Sequence, residues 1–131
     1  MNENNKTRAG EWFEKARWDF EAAQVLLQYG GHPDPVAVFF QQAVEKYLKG
    51  YLIARGWKLI KTHDLKLLID EAKKHDVGFE KFYDLADRLT KHYIDEKYPP
   101  TVTDMTLEDV RVLPIQVEEL LKIVRLPAAN E

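Results

Sequence analysis

The chain contains neither cysteine nor serine. Without thiols there is no disulfide, no thiolate nucleophile and no cysteine-ligated zinc, and without serine there is no serine nucleophile. Stability must therefore come from packing. No hydrophobic run reaches the length of a membrane span, and residues 1–10 are polar and charged with no apolar stretch behind them, which argues against a secretory signal. A cytoplasmic protein with no membrane partner is expected. A glycine-rich phosphate loop is missing, as is any pairing of histidines with carboxylates at metal-ligand spacing, so neither a metal nor another cofactor is expected. A formal charge of −3 supplies no global basic field for nucleic acid. Any anion site has to be built locally.

What is present is helical patterning. The length of 131 residues suits one domain with one core, and 45% hydrophobic with 31% charged residues is an ordinary globular composition. Over residues 11–29, Trp12, Ala16, Phe20, Ala23 and Leu27 recur at helical spacing, with Glu14, Arg17, Glu21, Gln24 and Gln28 opposite. A second stripe, Trp18, Ala22, Val25, Leu26 and Tyr29, widens the apolar arc beyond what one neighbour covers. Two helices or a second subunit should lie against it. Gly30, Gly31, Pro33 and Pro35 then punctuate the chain. A second helix is predicted from Asp34 as N-cap and Pro35 as first residue to about Arg55, before Gly56, with Phe40, Ala43, Val44, Tyr47, Leu48, Tyr51 and Ala54 inward and Gln41, Gln42, Glu45, Lys46 and Lys49 outward.

Thr62 or Asp64 caps a short third helix ending near His75 or Gly78. A fourth spans residues 80–93, with Phe82, Leu85, Ala86, Leu89 and Tyr93 inward, and a loop over residues 95–106 carries Pro99 and Pro100. The last opens near Leu107, where Thr106 and Asp109 resemble a capping box, and continues to Arg125. Pro114 inside it implies a kink or a break at Leu113. The fold class is thus all-α: a single up-and-down antiparallel bundle of four to five helices over residues 1–131, with residues 1–10 and 127–131 expected to be flexible.

The run Phe40-Gln41-Gln42-Ala43-Val44-Glu45-Lys46-Tyr47-Leu48-Lys49-Gly50-Tyr51-Leu52 resembles the second helix of HEPN domains, the higher-eukaryote and prokaryote nucleotide-binding family. Trp12, Ala16, Asp19 and Ala22 look like that family's first helix, Thr62-His63-Asp64-Leu65 like its entry to the third, and Tyr93-Ile94-Asp95-Glu96-Lys97-Tyr98-Pro99 like its aromatic, basic, Tyr-Pro segment. The resemblance implies a helical bundle that usually dimerises, found in bacteria and archaea beside a minimal nucleotidyltransferase encoded as a separate chain. Such pairs often behave as toxin and antitoxin. Many members are metal-independent ribonucleases using an arginine and a histidine with four to six residues between them. Here Arg88 and His92 have three residues between them, one short of that spacing, though both fall on one helical face.

In such a pair the histidine would exchange the 2′-hydroxyl proton while the guanidinium steadies the phosphate, with Asp19 or Glu45 orienting them. The plainer reading is a solvated face whose basic residues suit the end of a helix. Asp19 falls between Leu26 and Trp12 on its wheel and needs a partner, with Lys46, Lys49 and Lys97 as candidates; the pair would bind phosphate, fix helix register, or both. Lys97 stands where relatives often carry arginine and Pro100 where aspartate is common, and lysine lacks the planar fork for bidentate phosphate contact. Tyr93 and Tyr98 flank that loop, near where some relatives are nucleotidylated on tyrosine; otherwise they pack at the bundle edge. His63 reads as a capping or packing residue, and His32 and His75 as turn residues. Three functions stand open: a homodimeric module binding nucleotide, RNA or a partner nucleotidyltransferase through Asp19, Glu45, Lys46, Lys49, Tyr93, Lys97 and Tyr98; a ribonuclease toxin using Arg88 and His92; or a structural adaptor.

Overall fold

The computed structural model describes residues 3–97 and 106–125, and of residues 91–97 the backbone alone. Every regular element among the described residues is helical: α1 (Glu3–Gln28), α2 (Pro33–Ala54), α3 (Leu65–Lys73), a 3₁₀ turn (Val77–Phe82), α4 (Tyr83–Lys97), α5 (Leu107–Arg111) and α6 (Leu113–Val124). Apolar positions from all six helices join one core. The bundle is organised around α2, which packs against every other helix, whereas α1 has α2 as its principal neighbour.

α1 and α2 form an antiparallel hairpin. Ala9, Ala16 and Ala23, seven residues apart, are all buried, and these small side chains let the two backbones approach closely. Gly50 completes the fit, because a Cβ there would sit 2.6 Å from the Phe13 ring. Phe20 meets Phe40 edge-on at 5.8 Å, within the usual range for an aromatic pair. Both ends of the hairpin use the same stop. Gly30, at φ +76°, follows α1 with Gly31 N–H donating to the Leu26 carbonyl and Gly30 N–H to that of Leu27. Gly56, at φ +88°, follows α2 with Trp57 N–H donating to the Leu52 carbonyl and Gly56 N–H to that of Ile53. Each is a Schellman closure, which needs a left-handed residue that glycine supplies without a Cβ clash.

Several boundaries differ from the sequence reading. α1 begins at Glu3, not residue 11, so residues 3–10, expected to be flexible, are helical. Ala9 explains this: it is 2% exposed and lies against Ile53 and Ala54, with Trp12 and Trp57 closing a satellite cluster. α2 starts at Pro33 with His32 rather than Asp34 as its N-cap, and both prolines sit in the first turn, where a missing N–H costs nothing. α3 stops at Lys73. The chain then makes a 3₁₀ turn from Val77, capped by Asp76, before α4 begins at Tyr83, and α4 runs through to Lys97 where a loop was expected from Asp95.

Asp64 caps α3, accepting from the N–H groups of Lys66 and Leu67, and Thr106 with Asp109 forms a full capping box on α5. The donated hydrogen bond from Thr106 N–H holds the Asp109 carboxyl below the usual aspartate range. Pro114 produces a break, not a kink: α5 ends at Arg111 and α6 starts at Leu113, with Val112 between them. Arg88 on α4 reaches Gln116 on α6, and Lys81 in the 3₁₀ turn reaches Glu119, so side chains tie α6 to both elements. Among the described residues, three positions of the second stripe of α1 are exposed. Trp18 is 54%, Val25 54% and Tyr29 79% exposed.

Candidate functional site

α2 carries a polar seam that helical periodicity placed on the outside. Gln41, Glu45 and Lys49, spaced i, i+4, i+8, are 0%, 5% and 5% exposed, which corrects their expected outward orientation. Gln42 and Lys46 are half-buried. Charges are tolerated at such burial only when each is paired and hydrogen-bonded, and Glu45 meets that condition on both oxygens. Its Oε2 accepts from Lys49 Nζ at 2.8 Å, and its Oε1 accepts from Gln41 Nε2 at 3.1 Å and lies 2.9 Å from His63 Nδ1. Lys49 Nζ also stands 5.4 Å from the centre of the Trp12 ring, so an aromatic face on α1 completes the ammonium's surroundings. Among the described residues, Gln41 Oε1 is buried with no hydrogen-bond partner.

The seam reaches the surface at His63. Its side chain is 63% exposed, whereas that of Glu45 is 7% exposed. The Schellman stop at Gly56 turns the chain back along α2, and the loop over residues 57–64 is fixed at both ends, by Trp57 on the core and by His63 on Glu45. Between them Lys58, Leu59, Ile60 and Lys61 are exposed, and Lys66 follows on the first turn of α3. From Arg55 to Lys66 the chain holds four lysines or arginines against one aspartate, a basic island in a molecule of net charge −3.

Asp19 finds its partner across the hairpin in Lys46, at 2.5 Å, with side chains 15% and 26% exposed. Of the three lysines considered for it, Lys49 instead serves Glu45, and the side chain of Lys97 lies outside the described residues. The structure thus brings together Asp19 with Lys46 and Glu45 with Lys49, on one hairpin. Arg88 sits elsewhere. Its Nη2 donates to Gln116 at 3.1 Å, its Nε is buried without a partner, and it lines a shallow cleft with Lys81, Asp84, Gln116 and Glu119 between α4 and α6. The side chains of His92 and Tyr93 lie outside the described residues, as does Tyr98 entirely. No group of three or more histidines and carboxylates is placed to hold a metal ion among the described residues, and no helix among them is long and apolar enough to cross a membrane.

Sequence reasoning missed two members of the seam and, in the separate Arg88 cleft, a third residue. His63 was read as a cap or packing residue, yet it bonds to a carboxylate 18 positions earlier. Trp12 was assigned to the core stripe and Gln116 to no role. The 41/45/49 spacing was a usable signal for one continuous stripe, but spacing alone does not say which way a stripe faces.

The fold and the seam together define a small all-helical module with an internal charge network that opens on a basic loop. The HEPN domain family matches residues 9–126, and the chain belongs to it. Membership makes the domain a nucleotide- or RNA-related module in general terms. TT1696 from Thermus thermophilus, known from its crystal structure, is similar at 27% identity with a TM-score of 0.71, over 89% of this chain and 95% of that one. No curated protein matches.

Proposed function

We propose that the protein is a non-membrane binding module that works as a homodimer and holds RNA or a nucleotide at the mouth of the α2 seam. The observation that carries this reading is the Gln41–Glu45–Lys49 network surfacing at His63 beside exposed Lys58, Lys61 and Lys66. A hydrophobic replacement of such a network is often neutral or stabilising, so stability alone does not account for it. Lysines on an anchored loop supply phosphate contacts, while the fixed polar groups of the seam offer hydrogen bonds to a base or ribose.

The dimer is supported by the uncovered face of α1. Trp18, Val25 and Tyr29 lie on one side of a helix whose other side is spent on α2. Aromatic residues on such a face are typical of interface centres. The family resemblance adds a minimal nucleotidyltransferase as a separate partner chain, to be looked for by co-expression of the two.

Fluorescence anisotropy with labelled single-stranded RNA and with ATP tests the binding. Charge reversal at Lys58, Lys61 and Lys66 together should weaken RNA binding by at least about tenfold at low salt. Equal affinity in the triple variant contradicts the placement.

A further inference from the structure

The cleft between α4 and α6 is a second place where polar groups gather, and it shares no residue with the α2 seam. Its volume is about 230 Å³, below the roughly 300 Å³ at which pockets for drug-sized ligands begin. Phe82 and Leu85, 4% and 3% exposed, supply its apolar lining. The guanidinium of Arg88 presents its Nε–H and one Nη2–H along a single edge, the pair that grips a carboxylate with two parallel bonds. Gln116 Oε1 takes the Nη2 hydrogen at 3.1 Å, while Nε is buried and has no hydrogen-bond partner among the described residues. A neutral amide oxygen thus fills half of a fork shaped for two oxygens, and a donor left buried and unmatched costs stability. An incoming carboxylate would satisfy both donors, and the Gln116 amide could turn to donate to it.

The charges around the fork decide which anion suits it. Lys81 and Arg88 bring two positive charges and Asp84 and Glu119 two negative ones, so the lining side chains carry no net charge. Asp109, whose carboxyl accepts from the Thr106 N–H, is also within reach of the Arg88 charge from the start of α5. A phosphate monoester would add nearly two negative charges with no excess of cations to meet them. Glu119 is already engaged by Lys81 at 3.7 Å and by Lys122 at 3.4 Å, whereas Asp84 makes no ion pair among the described residues. Long helical side chains lean toward the N-terminus, which brings the Arg88 head toward the turn that carries Asp84. A ligand with a carboxylate and an ammonium close together matches both groups at once. We propose that this cleft binds a free α-amino acid with a short apolar side chain, its carboxylate on the Nε–Nη2 edge of Arg88, its ammonium at Asp84 and its side chain against Phe82 and Leu85.

The test titrates the nitrogen-15-labelled full chain with L-valine and reads the backbone amides and the Arg88 Nε resonance by NMR. Two analogues separate the charges: 3-methylbutanoate keeps the carboxylate and lacks the amine, and isobutylamine keeps the amine and lacks the carboxylate. L-Valine should shift residues 81–88 and 116–119 with a Kd of about 1 mM or tighter, and each analogue should bind at least about tenfold more weakly. Asp84→Asn, at an exposed position, should weaken L-valine about tenfold and leave 3-methylbutanoate unchanged. Arg88→Lys keeps the charge but loses the fork, and should weaken both acids. Resonances of the cleft that stay still at about 20 mM L-valine, or equal binding of L-valine and its two analogues, overturn the amino-acid site. Inorganic phosphate that binds there more tightly than L-valine overturns it as well. RNA binding at the α2 seam is read at residues 41–49 and 58–66, so it stands or falls separately.

Discussion

Helix α1 leaves Trp18, Val25 and Tyr29 in water, while its neighbour α2 buries Gln41, Glu45 and Lys49. The two halves of one hairpin thus depart from the inside–outside rule in opposite directions. Each departure costs something when left uncompensated: exposed aromatic surface stays hydrated, and buried charge loses solvation. On α2 the compensation is internal, in the bonds from Gln41, Lys49 and His63 to Glu45. On α1 the proposed source is a second copy of the chain. Polar residues inside find their partners within the chain, whereas the exposed apolar residues of α1 are the face assigned to the proposed dimer.

The largest effect should follow from breaking the α2 network on one side. Lys49→Met leaves Glu45 buried with less positive charge near it and should cost about 3 kcal/mol in urea unfolding. Glu45→Leu combined with Lys49→Met should recover much of that loss, because both charges leave together. A double variant as weak as the sum of its parts would mean that the pair is not coupled.

Next in size is the seam between the helices. Gly50→Ala pushes a methyl into the Phe13 ring, and overpacking of about 1–3 kcal/mol outweighs a helix-propensity gain of about 1 kcal/mol, so unfolding should shift to lower urea. On α1 the opposite outcome is expected. Trp18→Lys with Val25→Lys should leave monomer stability within about 0.5 kcal/mol of wild type while converting dimer to monomer in light scattering. If the doubly substituted protein keeps its dimer, the uncovered face is not the interface.

The smallest effect concerns pH, away from both features. His75 lies edge-on to Tyr51 at 6.2 Å, and the Arg55 guanidinium stacks 3.6 Å over the same ring. Burial, then the charge of Arg55, lowers the His75 pKa from its ordinary 6.5. The unfolded chain therefore takes up the proton more readily, so the stability this residue contributes is fully present above about pH 6.5 and declines as pH falls below it. His75→Gln should flatten that part of the stability profile relative to wild type, as measured by thermal melts between about pH 5 and pH 7.5; parallel profiles would contradict the assignment.

Much of the fold was legible because the signals were local. Asp64 as a cap, the Thr106 and Asp109 box, the glycine stops and the break at Pro114 each depend on residues within a turn of one another. The start of α1 was not legible, since the burial that holds it rests largely on Ala9 meeting Ile53 and Ala54, which belong to the far end of α2. The candidate site was half legible. Asp19 was recognised as needing a partner and Lys46 was among the candidates, but the burial of Glu45 and Lys49 depends on Trp12 and on a loop that folds back from Gly56. The meeting of His63 with Glu45 is a product of that loop's path, which no periodicity encodes.

The most direct test of the claim that the α2 seam opens as a ligand surface at His63 is a titration of nitrogen-15-labelled protein with single-stranded RNA, followed by amide NMR. The shifted resonances should gather at residues 58–66 and along residues 41–49 of α2. Shifts confined to the Arg88 and Gln116 cleft would contradict the claim.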